Sequence, residues 1–235
     1  MGLIQHEITR LPNGLSTRPP QDIFNGLGFP DPTKFHTQFD DFDQFNPAAG
    51  TWVVTETQAG ATQALADGDG GLLLLTNSAA DNDVVQIQNA AESFTFELGK
   101  QCFFKARFQV SDATQSDVRV GIWIRDAASE DITDGVSFFK ADGAATMVLQ
   151  AEKNGAIVSG SVSHTLVAAT MTEVAFFWDG VSRIYYAFDG AVRGYISPGV
   201  SLPDDEALAV GFFLQNGEAA AKTATIDYLF ASKER

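Results

Sequence analysis

The sequence predicts an all-β fold, two antiparallel sheets packed face to face behind an extended N-terminal arm. Three observations carry that expectation. Short runs of alternating apolar and polar residues recur through residues 39–235. Asp-Gly and Asn-Gly pairs separate those runs, and nowhere does an apolar helical period with capping residues develop. Alternation lets a strand bury one face, and the glycine of an Asp-Gly pair accepts the positive φ that tight hairpins require.

Residues 1–38 form the expected arm. Five of the eight prolines lie here, with Asn13-Gly14 and Asn25-Gly26, and neither strand nor helix periodicity persists. The segment is apolar at Ile4, Leu11, Ile23, Phe24, Leu27, Phe29 and Phe35, and its acids Glu7, Asp22 and Asp31 balance Arg10, Arg18 and Lys34. Apolar side chains on an extended segment need a surface to lie against. That surface is either the chain's own sandwich or another subunit, and these seven residues are the expected contact set.

The body, residues 39–235, reads as one sandwich domain of about twelve to fourteen short strands. Phe39, Phe42 and Phe45 precede TWVVTET, then come GLLLLT from Gly71 and DVVQIQ from Asp83. In CFFKARFQV, Cys102, Phe104, Ala106, Phe108 and Val110 oppose Phe103, Lys105, Arg107 and Gln109. Val118, Val120, Ile122 and Ile124 likewise oppose Arg119, Trp123 and Arg125. Runs starting at Gly135, Thr146, Ala207 and Thr223 complete the set, around the clearest segment, Thr172 to Ile196. There Asp179-Gly180 and Asp189-Gly190 divide three strands; Val174, Phe176, Trp178, Ile184, Tyr186, Phe188, Val192 and Ile196 are expected to face a core.

Composition narrows the function. A net charge of −15 argues against a nucleic-acid partner. Cys102 is the single cysteine, so no internal disulfide is expected and the thiol reads as a small core residue. The first fifteen residues lack a continuous apolar signal core and no run reaches membrane-spanning length, so neither ordinary secretion nor a membrane partner is expected.

The ordered motifs FDDFDQF, DGDGGLLLLTN, GKQCFFKARFQVSDATQSDVRVGIWIRD, DGVSFFKADG, WDGVSRIYYAFDG and LPDDEALAVGFFLQNGEAAAKTATIDYLFASKER resemble a group of tailed-bacteriophage virion proteins. That group has a concanavalin A-like (LamG-like) jelly roll. The resemblance covers about residues 39–235 and implies a structural protein that decorates or cements a phage head. Its partner would be the major capsid protein, its location the virion surface after synthesis in the host cytoplasm, and further copies could assemble on the capsid. The arm lies outside the motifs, so its anchoring role is an expectation from its composition alone.

Chemistry is sparse in the sequence. Glucanases of this architecture resemble Glu-x-Asp-x-x-Glu on the active strand, and no Glu here is followed two positions later by Asp, so no enzyme is expected. His6 and His36 lie in the arm and His164 in a polar loop. Asp67 and Asp69, the group Asp81, Asn82 and Asp83, and the group Asp204, Asp205 and Glu206 offer hard oxygens without EF-hand spacing. Neither a metal nor a cofactor is expected. The outward residues of several strands are more suggestive: Arg119, Trp123, Arg125, Arg183, Tyr185, Arg193 and Tyr195 form a candidate recognition patch, since guanidinium groups and rings together suit binding. A glycan is accordingly the alternative partner, and a lectin-like module the alternative function. Solvated cross-strand pairs are the plain reading of the same residues. The pairs Phe103-Phe104, Phe138-Phe139, Phe176-Phe177 and Phe212-Phe213 put one ring on each side of a strand, so half of these rings need a cover outside the core.

Overall fold

The computed structural model describes residues 33–126 and 130–235. Sixteen strands follow one another: β1 Phe35–Asp40, β2 Trp52–Glu56, β3 Thr62–Ala66, β4 Leu72–Thr76, β5 Val84–Asn89, β6 Cys102–Val110, β7 Ser116–Trp123 and β8 Gly135–Lys140. The second half holds β9 Thr146–Lys153, β10 Ala156–Ser159, β11 His164–Thr165, β12 Thr172–Trp178, β13 Ile184–Phe188, β14 Ala191–Ile196, β15 Ala209–Asn216 and β16 Thr223–Glu234. The short strands β3, β10 and β11 raise the number above the expected range.

The strands make two antiparallel sheets. The first runs β14-β13-β12-β6-β16-β4-β3, with β1 also paired to β16; the second runs β10-β9-β8-β7-β15-β5-β2, with β11 on β9. In each sheet consecutive strands at the edges join others that are distant in sequence, as between β6 and β16. Their inner faces supply one aromatic-rich core. Phe104 stacks on Phe176 at 5.3 Å, Phe108 of the first sheet meets Phe212 of the second edge-on at 5.2 Å, and Phe138 meets Phe188 at 5.2 Å. Interdigitation of two alternating faces is how a sandwich fills its interior, and this chain has a concanavalin A-like jelly-roll sandwich.

Phe35, assigned to the arm from sequence, stands at the start of β1 opposite Glu234. Ile4, Leu11, Ile23, Phe24, Leu27 and Phe29 lie outside the described residues. One strand departs from its expected register. Tyr186 pairs with Gly194 and Ala187 with Val192, which leaves Arg193 as an extra, bulged residue. A bulge of one residue reverses which side chains face the core beyond it. Val192, expected inside, is therefore on the outer face and 50 % exposed, while Ile196 is buried as anticipated.

Candidate functional site

The expected recognition patch divides between two surfaces. Arg119, Trp123 and Arg125 belong to the second sheet and the loop after β7, whereas Tyr185, Arg193 and Tyr195 belong to the first and Arg183 to the turn leading into β13. As a single patch the set is incorrect, because β7 and the pair β13–β14 lie in different layers.

The second sheet's outer face is covered around Trp123. Trp123 is completely buried and clusters with Val84, Ile132 and Phe213. Its indole lies so close over the sheet that a Cβ on Gly211 would come 2.8 Å from Cζ2 and Cη2. The described ends of the connection after β7, residues 124–126 and 130–134, lie on this face, and the Ile124 amide donates to the Asp134 carbonyl at 2.9 Å. Gln86 Nε2 donates to the Asp126 carbonyl at 2.6 Å, Gln88 Nε2 to the Ile124 carbonyl at 3.2 Å, and Arg119 Nη2 to the Glu130 carbonyl at 3.0 Å. Arg119 is only 3 % exposed, donates to Ser137 Oγ at 2.9 Å, and sits 4.4 Å over the Phe139 ring. Burial depresses its pKa to about 10. Arg125 bonds the Ala90 carbonyl at 2.8 Å beside a shallow polar recess with Gln88, Glu92 and Asp126. Arg119 and Trp123 are thus fastenings of the covering connection. Here the second ring of Phe212-Phe213 finds its shelter.

The first sheet keeps an open face, and its chemistry gathers at the β13–β14 edge. Asp179 Oδ1 accepts the backbone N–H groups of Val181, Ser182 and Arg183 at 2.8, 2.8 and 3.0 Å, a side-chain turn that fixes where Arg183 departs. Burial opposes ionisation of Asp179, but these three donors outweigh it and hold the carboxyl below its ordinary pKa. Next, Asp189 and Gly190 both take positive φ, 50° and 73°, as a primed hairpin turn demands. The two turns place Tyr185 opposite Tyr195, rings 5.8 Å apart, with the Arg183 guanidinium 4.3 Å over Tyr195 and 3.5 Å from the Tyr185 hydroxyl. Tyr195 remains 49 % exposed.

Sequence reasoning missed an apolar recess of about 290 Å³ at this end, lined by Leu98, Trp178, Val181, Pro198 and Leu202 with Ser182, Ser197 and Asp204. It joins three loops distant in sequence; two single exposed apolar residues in those loops, Leu98 and Val181, were its signal.

Toward the middle of the same face the charges are paired. Lys105 bonds Glu173 at 2.7 Å, the Tyr228 hydroxyl donates to Glu173 at 2.7 Å, and Arg107 pairs with Asp227. Phe39, Phe230 and Phe103 follow toward β1, at 6.0 and 5.3 Å between successive rings.

Three of the acids read as hard-oxygen donors have partners in the fold. Asp83 accepts from Thr57 Oγ1 at 2.9 Å and the Ser78 amide at 2.6 Å, while Asp204 and Asp205 bond Lys153 at 2.5 and 3.2 Å. Among the described residues no three His, Cys, Asp or Glu side chains converge. His164 stacks on Phe188 with Nε2 3.6 Å from Asp189, so it packs rather than projects.

No family model and no curated protein matches the chain. Solved structures do. A protein of unknown function from Shewanella oneidensis MR-1 aligns at TM-score 0.63 and 12 % identity, over 86 % of this chain and 87 % of that one. Peanut lectin aligns at 0.60 and 10 %, over 85 % and 97 %. The endo-1,3-β-glucanase of Streptomyces sioyaensis aligns at 0.60 and 13 %, over 93 % and 99 %. At such identities the likeness establishes the concanavalin A-like fold. Lectins and glycoside hydrolases share it, and nothing in the likeness points to a phage head.

Proposed function

We propose that this chain is a non-catalytic carbohydrate-binding module that receives a glycan on the Arg183–Tyr185–Tyr195 edge of the first sheet. The observation that carries the reading is the half-exposed Tyr195 ring, held by its cross-strand partner Tyr185 and by Arg183. A sugar presents C–H groups on one side and hydroxyls around its rim. A rigid aromatic ring takes the first at low entropic cost, and a guanidinium and phenol hydroxyls bond the second. Lectin-like neighbours on the same fold support the reading. Glycoside hydrolysis needs two carboxyl groups flanking an accessible bond. Asp117 and Glu152, the carboxylates on β7 and β9 that face the covered side, are buried, which favours binding over catalysis.

The virion reading draws on motif order and on an arm whose Ile4, Leu11, Ile23, Phe24, Leu27 and Phe29 are outside the described residues. No described residue favours it over the glycan reading. A glycan array followed by titration calorimetry tests the proposal: Tyr195→Ala and Arg183→Ala should each weaken binding at least tenfold while the melting temperature holds. Silence across a broad array, or sugar release from a bound oligosaccharide, would count against it.

A further inference from the structure

The apolar recess beside the tyrosine edge has fixed walls. The Gly99 amide donates to the Gly180 carbonyl at 2.6 Å, and a Cβ on Gly180 would stand 3.1 Å from the Lys100 nitrogen. The loop carrying Leu98 and the turn carrying Val181 therefore press directly together. Trp178 Nε1 donates to the Glu97 carbonyl at 3.1 Å, so the indole's single polar atom is already spent. On the third side the Ser201 amide bonds the Pro198 carbonyl at 2.9 Å. A cavity built this way is preformed for a ligand.

We propose that this recess receives a neutral, ring-sized apolar group attached to the glycan, an aryl aglycone in the simplest case. The inference rests on the Arg183–Tyr195 edge as the place where the sugar sits. Size, polarity, charge and position select the occupant. A closed apolar cavity of about 150 Å³ takes up benzene, and this recess of about 290 Å³ has room for a ring and its linking atom. Its walls, Leu98, Trp178, Val181, Pro198 and Leu202, offer a second sugar nothing to bond, and a hydroxyl left unbonded against them is penalised. Among the described lining residues the charged one is Asp204, which shares the Lys153 cation with Asp205, so the surroundings are net negative and disfavour an anion. A cation would surrender its water against the apolar walls. Ser182 adjoins Arg183, and Ser197 stands two residues beyond Tyr195, about 7 Å along the chain. A substituent on a sugar stacked at Tyr195 thus reaches the recess past two serine hydroxyls.

The test titrates the full nitrogen-15 chain with benzyl alcohol and with matched methyl and phenyl glycosides of glucose, galactose, mannose and N-acetylglucosamine. Benzyl alcohol should shift the amide signals of Leu98, Val181 and Gly199; no shift there would overturn the recess as a site and leave the glycan reading standing. Where a methyl glycoside binds, its phenyl counterpart should bind about tenfold tighter or better, as expected for a buried ring. Leu98 is 72 % exposed, so Leu98→Asp spares the core, and it should bring each pair within about twofold. Tyr195→Ala should weaken both members of a pair alike. Equal affinities in the wild-type chain, or a preference undiminished by Leu98→Asp, would overturn the proposal. Benzyl alcohol shifts without binding of any glycoside would overturn the glycan reading, and the shared occupancy with it.

Discussion

Replacing Arg119 with Met should reveal whether the covering connection is fastened by a buried cation. The guanidinium loses its hydrogen bonds to Ser137 Oγ at 2.9 Å and the Glu130 carbonyl at 3.0 Å, and its seat on Phe139. Met fills much of the volume but donates nothing, and buried Glu152 loses the cation that favours its ionised form. Removing one member of a buried charge set costs about 3–5 kcal/mol. For a domain of this size each kcal/mol lowers the melting temperature by about 2–4 °C, so the fall should be about 6–20 °C.

The sign with pH follows from Glu152. Burial raises its pKa above 4.5, and Arg119 opposes that rise, so the variant's Glu152 should titrate higher still. An acid with a raised folded pKa destabilises the fold above that pKa and not below the unfolded value. The loss measured by urea unfolding, followed by tryptophan fluorescence and circular dichroism, should therefore be larger at pH 7 than at pH 4. Adding Glu152→Gln to Arg119→Met should recover part of the loss at pH 7. A change under about 1 kcal/mol, against the range for an unpaired buried charge, or an equal loss at both pH values, would refute the reasoning.

Trp123→Ala should cost about 3–5 kcal/mol of stability as a buried aromatic truncation, whereas Tyr195→Ala should cost under about 1 kcal/mol and act on glycan binding; unfolding curves separate the two. Asp112 has its pKa lowered to about 2, chiefly by its bond to Lys222. Its contribution is present above the ordinary 3.8 and lost as pH falls toward 2, so Asp112→Asn should flatten the acid limb of the stability profile in that window. The Cys102 thiol is fully buried and pushed up to about 12 by desolvation. Ellman's reagent should therefore label it only as fast as the sandwich opens, and rapid native labelling would contradict its placement.

Period-two reading was reliable wherever local alternation decides the outcome. Cys102, Phe104, Ala106, Phe108 and Val110 are buried on the core side of β6, and the Asp-Gly pairs after Trp178 and Phe188 do turn the chain. It failed where a single residue alters the count. The bulge at Arg193 has no composition of its own, yet it turns Val192 outward. It also failed on anything set by non-local pairing. The sequence contains no sign that β7 lies in one sheet and β13 in the other, so seven residues of like orientation looked like one patch. The connection after Trp123, IRDAASEDITD, reads as a polar loop, and of its described residues only Ile132 enters the buried cluster. The doubled phenylalanines were the legible half of that story, since Phe213 needed a cover and has one.

The two outer faces handle charge in opposite ways, and that difference has a measurable consequence. Covering the second sheet required buried amides and a buried cation, and among the described residues Gln86 Oε1 has no hydrogen-bond partner there. On the first sheet the cations at the centre are neutralised by acids within the sheet, and Phe39, Val192 and Tyr195 stand exposed. A neutral glycan bound at Tyr195 would meet rings and hydroxyls with Arg183 as the nearest cation, so little ion release should accompany binding. Raising salt from 50 to 500 mM shortens the screening distance from about 14 Å to about 4 Å. A charge-driven site would weaken strongly under that change, whereas this one should change affinity less than about threefold. A tenfold loss would mean that the acidic body attracts a cationic ligand instead, and the tyrosine edge would no longer explain binding.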